Sequence, residues 1–457
     1  MNGLMNWLEK YIIPVASKIG SQKHLVALRD AFIATMPATM AGSVAVLLNA
    51  FFRDFPTEWG WLGFVEFMKP VVAVNGFVWT GTLAIMAVVF SMTLGYNLAK
   101  AYNVDALSGA VVSLTAFFMG LTQTASTVLT LDGELPKKAI SMITAAGGTV
   151  TDGNIIGADA WGFFNFGKHM GGTGLFTAII FGFIATIIFS KLMLAKITIK
   201  MPDSVPPAVA KAFAAIIPAT VALYICGIIN YGFTTLTGQP IIDWITETIQ
   251  TPLLALSQGF GAVILIVFLV HLLWFFGIHG TNVMAPVLQT IYGSAMTTNM
   301  NAYQRKEMIP YKWVAGSFEA FVWPGGAGVT LMLIVAILIF SKRADSRTVG
   351  KLALGPGIFN INEPVMFGMP IVLNPLYMIP FILAPMATAS VAYVATMAGL
   401  VNPVVVSVIW VMPAGISGFL ATGGDWRAII LTLVNLGVAL VIWMPFVLAA
   451  NKVPLED

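Results

Sequence analysis

Long runs without a single Asp, Glu, Lys or Arg alternate along the chain with short stretches in which the charged residues collect. Each run exceeds about 20 residues, the length that a helix needs to cross the hydrocarbon core of a bilayer. The runs cover 31–52, 70–99, 106–131, 169–190, 212–242, 248–304, 320–341, 364–424 and 428–451. The pattern predicts an all-α polytopic membrane protein, and two of the runs are long enough for more than one crossing.

The charged stretches orient these helices, because cytoplasmic loops carry an excess of Lys and Arg. Basic residues dominate ahead of the first run and in the segments 191–211 and 341–351, which we therefore place inside. The segment 124–168 mixes acids and lysines and is expected outside. This arrangement predicts about ten transmembrane helices, five of them in the first half, with both termini in the cytoplasm. Two segments interrupted by Pro and Gly, 355–372 and 403–422, are expected to form re-entrant hairpins.

Composition agrees with a membrane protein and excludes several other classes. The chain is 58% hydrophobic and 9% charged, whereas an ordinary globular domain is about a quarter charged. A net charge of +3, dispersed in loops, gives no reason to expect a nucleic-acid partner. The single cysteine, Cys226, cannot form a disulfide within the chain and is expected to be a buried, inert thiol. No phosphate-binding loop of ATPases, no HExxH and no Cys/His cluster occurs, so we expect no cofactor and no metal.

Glu363 is the only charged residue between Lys351 and Asp425, in the segment GPGIFNINEPVMFGMPIVLNP. A carboxylate at the centre of a membrane helix costs about 2.5–3.5 kcal/mol, so such residues usually face a cavity or a pathway. Asn360 and Asn362 add amide donors and acceptors that suit sugar hydroxyls. The segment therefore predicts a binding site. The alternative is a short solvent loop that happens to carry an acid.

A second candidate is LLWFFGIHGTNVMAP, in which Gly277 and Gly280 flank His279 and allow the backbone to approach a ligand closely. We expect His279 and Gly280 to contact substrate, although a lone histidine in a membrane span is often a core residue. His271 lies in an uninterrupted apolar run and keeps the core interpretation. Trp274, close to His279, is a candidate platform for the apolar face of a sugar ring, although Trp more often anchors a helix at the membrane interface.

Two further residues stand next to broken stretches. Trp410, in SVIWVMPAGISGF, is a second candidate platform for a sugar ring, with the same interfacial alternative. Glu319, in FEAFVWPGGAGVT, lies near the start of a predicted span. Its position favours a role as an interfacial or inter-helix partner over that of a substrate ligand.

The chain resembles the membrane permease, component IIC, of the bacterial phosphoenolpyruvate-dependent sugar phosphotransferase system, in its lactose/cellobiose/diacetylchitobiose branch. The resemblance extends over almost the whole chain. The segments that carry it are IKMPDSVPPAVAKAFAAIIPA (199–219), LLWFFGIHG (272–280), SKRADSRTVGKLAL (341–354) and GIFNINEPVMFGMPIVLNP (357–375). It implies a bacterial cytoplasmic-membrane protein that is the permease subunit of a sugar phosphotransferase, and in that sense part of an enzyme.

The resemblance also implies a mechanism and a division of the chain. Residues 1–240 would form a dimerisation domain, giving a homodimer in the lipid bilayer, and 241–457 the substrate-binding and transport domain. A β-linked disaccharide would bind in the second domain, with the catalytic residues His279 and Glu363 near its C6 hydroxyl. A phosphorylated cysteine on a separate IIB protein would transfer its phosphoryl group from the cytoplasmic side, with Glu363 as a candidate general base.

Two other classes remain open from the residues alone. An ion-coupled secondary sugar transporter also places lone acids on broken helices near the membrane midplane. A channel or structural membrane protein without a moving site is the third possibility. The chemical state of imported sugar separates them, because only a phosphotransferase permease delivers it phosphorylated and only when phosphoenolpyruvate is supplied.

Overall fold

The computed structural model of the protein describes residues 21–161, 169–202, 204–369 and 371–452, together with Pro14 and Lys18. Helices dominate these residues, and six of them are long and apolar enough to cross a membrane. A seventh span arises if the pair Ile241–Ser257 and Phe260–Phe275, bent by 75°, counts as one. The predicted all-α membrane architecture is confirmed, whereas the count of about ten crossings stays a prediction.

Mostly long helices make up the first half, and they pack side by side. In chain order they are α1 (Lys23–Asn49), α2 (Phe55–Glu58), α3 (Leu62–Thr80), α4 (Met86–Ala101), α5 (Ala106–Met119), α6 (Lys137–Ala145), α7 (Leu175–Leu194) and α8 (Pro207–Thr237). Short π-helical or 3₁₀ turns occupy Ala50–Asp54, Leu83–Ile85 and Gly172–Gly174. Helices α4 and α5 touch at Gly95 and Gly109, where a Cβ on Gly95 would collide with the carbonyl oxygen of Gly109. Small residues at such crossings let membrane helices approach closely.

A small antiparallel sheet interrupts the helices of the first half. Its strands β1 (Thr124–Thr130), β2 (Thr149–Thr151) and β3 (Ile155–Trp161) are arranged in the order β1-β3-β2. Asp152 and Gly153 both have positive φ and form the tight turn between β2 and β3. The charge-free run 106–131 changes from helix to strand before its end, within the segment 124–168 that was expected outside the membrane. The helix ends at Met119, and the β-branched sequence TASTVLT that follows forms a strand.

Shorter helices, separated by irregular backbone, make up most of the second half. They are α9 (Ile241–Trp244), α10 (Thr251–Ser257), α11 (Phe260–Phe275), α12 (Gly280–Val287), α13 (Ser294–Gln304), α14 (Ala315–Phe321), α15 (Thr330–Phe340), α16 (Ala344–Ile358), α17 (Glu363–Gly368), α18 (Pro375–Met397), α19 (Ile416–Ala421) and α20 (Arg427–Ala450). Further π-helical and 3₁₀ turns occupy Ile245–Gln250, Leu288–Gly293 and Ala327–Val329. The predicted re-entrant segments 355–372 and 403–422 are indeed broken, and their course through the membrane stays a prediction.

One large hydrophobic core joins the two halves. It includes Phe90 of α4, Phe275 of α11 and Trp443 of α20, all fully buried. A smaller cluster around α7 and α8 contains Cys226, which is fully buried as predicted. The shared core holds α1 of the first half against α12 of the second, which places a cavity between them.

Candidate functional site

A cavity of about 520 Å³ lies between the two halves of the protein. Ligand pockets typically measure 300–1,000 Å³, so a molecule of disaccharide size fits this range. Side chains of the first half form one wall, including Arg29, Phe32, Met36 and Thr39, which follow a single stripe of α1. The expectation that the sugar binds in the second half stays a prediction, and the first half contributes to the wall of this cavity. Broken segments of the second half form the opposite wall.

Glu363 is the first residue of α17 and lines the cavity. The preceding backbone leaves the helical conformation, since Asn360 has φ 63°, in the left-handed region. Pro364 then restarts the helix, because proline suits its first turn, where the missing N–H leaves no bond unmade. The Glu363 side chain is exposed to the cavity, as the interpretation of this segment as a binding site predicts.

The Asn360 side chain hydrogen-bonds this loop to two other irregular segments. Its amide nitrogen donates to the backbone carbonyl oxygens of Trp410 (2.6 Å) and Met412 (2.9 Å). Its side-chain oxygen accepts from the backbone N–H of Gly325 at 2.7 Å. Both amide protons are thereby used within the protein, so Asn360 shapes the cavity wall and has no donor left for a sugar.

Asn362 lies beneath Glu363 and is almost fully buried. Its amide donates to the carbonyl oxygen of Ala327 at 3.2 Å, while no described residue donates to its side-chain oxygen. Gly326 packs directly against it with φ 92°. Asn362 also lines the cavity, and its side-chain oxygen is the group that a ligand hydroxyl could reach.

His279 caps the start of α12 from the cavity wall. Its Nδ1 lies 3.3 Å from the backbone nitrogen of Asn282 and 2.9 Å from the hydroxyl oxygen of Thr281. Glu363 lines the wall of the same cavity. The structure therefore brings together His279 and Glu363, which are 84 residues apart in the sequence.

The two tryptophans proposed as sugar platforms differ in exposure. Trp410 is 51% exposed and presents its ring to the cavity. Trp274 is only 7% exposed, and its ring packs against the imidazole of His279 with centroids 4.3 Å apart. Trp410 therefore offers the larger surface for a sugar ring, while Trp274 mainly supports His279.

Gly280 plays a packing role at this site. It is buried and does not line the cavity, and a Cβ there would collide with the carbonyl oxygen of Val270 on α11. The absence of a side chain lets α12 begin close to α11. His271 is fully buried, hydrogen-bonded to the Val267 carbonyl oxygen at 2.7 Å, and packs between Trp323 and Phe381, so its core interpretation is confirmed.

Glu319 is the residue that the sequence interpretation misplaced. Its side chain is exposed on the cavity wall, and no described residue bonds its carboxylate. The sequence carries the same signal as at Glu363, a lone acid followed within a few residues by a Pro/Gly break. Arg29 is the other charged residue that reaches the cavity, where it pairs with Asp30. Within the described part of the chain, no three His, Cys, Asp or Glu side chains cluster in a way that could hold a metal ion.

Comparisons with known proteins assign this architecture to a family. The family model described as "Phosphotransferase system, EIIC" matches residues 29–385. The cellobiose-specific EIIC component of Lactococcus lactis subsp. lactis is 44% identical, over 99% of each chain. The oligo-beta-mannoside-specific EIIC component of Bacillus subtilis is 34% identical, over 98% of this chain and 94% of its own.

A solved structure agrees with both the sequence match and the fold. The crystal structure of ChbC, the IIC component from the N,N'-diacetylchitobiose-specific phosphotransferase system, matches with a TM-score of 0.85. The two chains are 34% identical, and the match covers 98% of each. The protein therefore belongs to the EIIC family, the multi-pass membrane components of bacterial phosphotransferase-system sugar transporters.

Proposed function

We propose that the protein binds a β-linked disaccharide of the cellobiose or diacetylchitobiose type, carries it across the membrane and presents its C6 hydroxyl for phosphorylation. The observation that carries this proposal is the meeting of Glu363, His279 and the exposed ring of Trp410 in one cavity of disaccharide size. The names of the relatives, specific for cellobiose, oligo-beta-mannosides or diacetylchitobiose, support this substrate class. We carry that class over to this chain because their similarity spans nearly its whole length.

The chemistry of phosphorylation needs little from the permease beyond position and charge. The C6 hydroxyl attacks the phosphorus of a phosphocysteine on a separate IIB protein. A new O–P bond forms, the S–P bond breaks, and the cysteine leaves as a thiolate. Glu363 takes the hydroxyl proton as general base, while His279 holds the same oxygen in place. In this division of labour the chain is the permease subunit of the phosphotransferase and carries no phosphoryl group itself.

The position of the cavity supports a transport cycle in which the second half moves against the first. Because α1 supplies one wall and the broken segments the other, displacement of one wall opens the cavity to one side. Residues 1–240 would then remain as the dimerisation domain of a homodimer, and 241–457 would carry the sugar. The excess of Lys and Arg in the segments 191–211 and 341–351 supports a cytoplasmic position for both termini and for the face that would dock IIB.

Proteoliposomes that contain the purified chain test the proposal. Radioactive cellobiose is added outside, and IIB with the general phosphotransfer proteins and phosphoenolpyruvate is enclosed inside. We expect labelled sugar phosphate inside, formed only when phosphoenolpyruvate and IIB are both present. Accumulation of unmodified sugar driven by an ion gradient would instead identify a secondary transporter. Repeating the assay with diacetylchitobiose, lactose and a β-mannoside ranks the substrates.

A further inference from the structure

The hydrogen-bond donors around His279 determine which of its two nitrogens carries the proton. The backbone N–H of Asn282 points at Nδ1 from 3.3 Å, and a backbone N–H can only donate. Nδ1 must therefore keep its lone pair. The Thr281 hydroxyl, 2.9 Å from the same nitrogen, can donate or accept, and it donates where Nδ1 is unprotonated. A neutral imidazole with an acceptor at Nδ1 carries its proton on Nε2.

The start of α12 also favours a neutral imidazole at His279. His279 is the residue immediately before this helix, and its Nδ1 accepts from the Asn282 N–H in the first turn, which also donates to the His279 backbone carbonyl oxygen at 3.0 Å. A helix N-terminus carries partial positive charge, which disfavours a cation placed there. A doubly protonated imidazole would be such a cation. Its Nδ1–H would also face the Asn282 N–H, and two hydrogen-bond donors repel each other. Both effects favour the neutral ring.

Packing restricts the tilt of the imidazole ring, and the hydrogen bonds at Nδ1 determine which way the ring faces. The indole of Trp274 lies against one face of the imidazole, with ring centroids 4.3 Å apart and planes inclined by 45°. Trp274 is itself held in the core, with 7% of its surface exposed. A flipped imidazole would set a carbon where Nδ1 now accepts. The Asn282 N–H would then keep only its bond to the His279 carbonyl oxygen at 3.0 Å, and the Thr281 hydroxyl would lose its acceptor. The observed orientation is the one in which these donors are satisfied.

We propose that Thr281 and Trp274 are positioning residues that hold His279 as the Nε2–H tautomer, so that His279 acts only as a hydrogen-bond donor and Glu363 alone accepts the C6 proton. The proposal rests on the proposed function for the identity of the hydroxyl. A hydroxyl donates one hydrogen bond and accepts others, so it fits between a carboxylate acceptor and an N–H donor. The two catalytic residues then have different roles that cannot be exchanged.

The protonation of His279 can be observed directly. ¹⁵N NMR of the histidine-labelled full chain in nanodiscs gives the protonation of each ring nitrogen, with the His279 signals assigned by their loss in His279→Gln. We expect a protonated Nε2 and an unprotonated Nδ1 without any sugar or partner present. A protonated Nδ1, or a doubly protonated ring at neutral pH, would overturn the proposal. Because this measurement uses neither sugar nor IIB, its outcome is independent of whether the proposed function holds.

Substitutions at Thr281 test whether this residue positions His279 or only stabilises the fold. Thr281→Val removes the hydroxyl donor, and we expect a mixture of tautomers and a phosphorylation rate about tenfold lower, as the loss of one hydrogen bond implies. Thr281→Ser keeps the donor and should restore the tautomer and most of the rate. Thr246→Val removes a hydroxyl that bonds only within its own helix, to Ile242, and serves as the matched control. Equal rates for the Val and Ser variants at position 281 would contradict the proposal.

The same assay distinguishes the two catalytic roles. Glutamine at position 279 retains an N–H donor but no imidazole base, so His279→Gln should keep a measurable part of the phosphorylation rate. Trp274→Phe should retain more activity than Trp274→Ala, because a ring still supports the imidazole. If His279→Gln lost activity as completely as the loss of the Glu363 charge, the assignment of His279 as a donor alone would be wrong.

Discussion

The two halves of the protein use similar apolar sequences differently. Helix α8 continues unbroken from Pro207 to Thr237, although Pro218 lies inside it. In the second half the chain leaves the helix before α12, between α14 and α15, and before α17. A continuous helix satisfies its own backbone groups, whereas every break releases N–H and C=O groups that must find partners inside the protein. His279 and Asn360 are such partners, and both stand in the cavity wall.

Glycine, more than proline, marks the breaks around the cavity. Prolines lie within continuous helices in both halves, as Pro37 in α1 and Pro445 in α20 show. The breaks around the cavity instead contain glycines with positive φ, among them Gly277, Gly325 and Gly326. A left-handed residue cannot continue a right-handed helix, and glycine adopts this conformation without steric penalty. A membrane helix therefore tolerates a proline, whereas these glycines end it.

The largest effect is expected from removal of the Glu363 carboxylate, which follows the irregular backbone before α17. Glu363→Gln keeps the shape of the side chain but removes the base, so phosphorylation should fall by about 10²–10⁴-fold while sugar binding weakens modestly. The two effects are measured as the phosphorylation rate in proteoliposomes and as the dissociation constant for cellobiose. Glu319→Gln is the matched comparison, because Glu319 lines the same cavity from a helix rather than from a break. If Glu319→Gln abolished phosphorylation and Glu363→Gln did not, the base would be assigned to the wrong acid.

The next largest effect is expected from a substitution at Gly326, in the irregular backbone between α14 and α15. Gly326→Ala would place a methyl group 2.8 Å from the side chain of Asn362 and 2.9 Å from the Asn360 carbonyl oxygen, at φ 92°. The backbone strain alone costs on the order of 1–3 kcal/mol, so we expect a lower thermal unfolding temperature and weaker sugar binding.

Gly227 in α8 is the matched control for this substitution, since nothing lies within 4 Å of a Cβ placed there. Gly227→Ala should change the unfolding temperature little. A large loss at Gly227 would show that this face of α8 packs against another helix, and equal losses at both glycines would contradict the distinction between the halves.

A smaller effect is expected at the exposed aromatic ring of the cavity. Trp410→Ala removes apolar surface worth about 1–2 kcal/mol, which corresponds to a roughly 5–30-fold higher dissociation constant for the disaccharide. Trp426 is a matched control because it is 63% exposed but does not line the cavity. Unchanged sugar affinity in Trp410→Ala, measured by calorimetry, would return this residue to the role of an interfacial anchor.

The smallest effect is expected in the continuous half. Cys226 is fully buried in α8 and does not line the cavity. Cys226→Ala should transport and phosphorylate sugar like the unsubstituted protein. The chain should also take up no covalent label from radioactive phosphoenolpyruvate and the general phosphotransfer proteins. Stable label that disappears in Cys226→Ala would show that this chain, and not a separate IIB protein, carries the phosphoryl group.

The sequence by itself determined the class of protein and the main chemical groups of its site. Runs of apolar residues longer than a bilayer crossing have no other common use, and an acid such as Glu363 within such a run needs a cavity. The same local arguments identified His279 and Trp410, and all three line the cavity. Periodicity could not show that the run 106–131 ends as a strand, because apolar β-branched segments fit either structure.

Only the tertiary structure decided which role each of these residues has in the cavity. Asn360 and Asn362 look equivalent in the sequence. In the structure, the side-chain amide of Asn360 is hydrogen-bonded to the backbone of other irregular segments, whereas the side-chain oxygen of Asn362 is bonded to no described residue. Trp274 supports His279, and Glu319 turns towards the cavity. Hydrogen bonds and packing between segments far apart in the chain set these roles, and no local pattern encodes which distant partner a side chain meets.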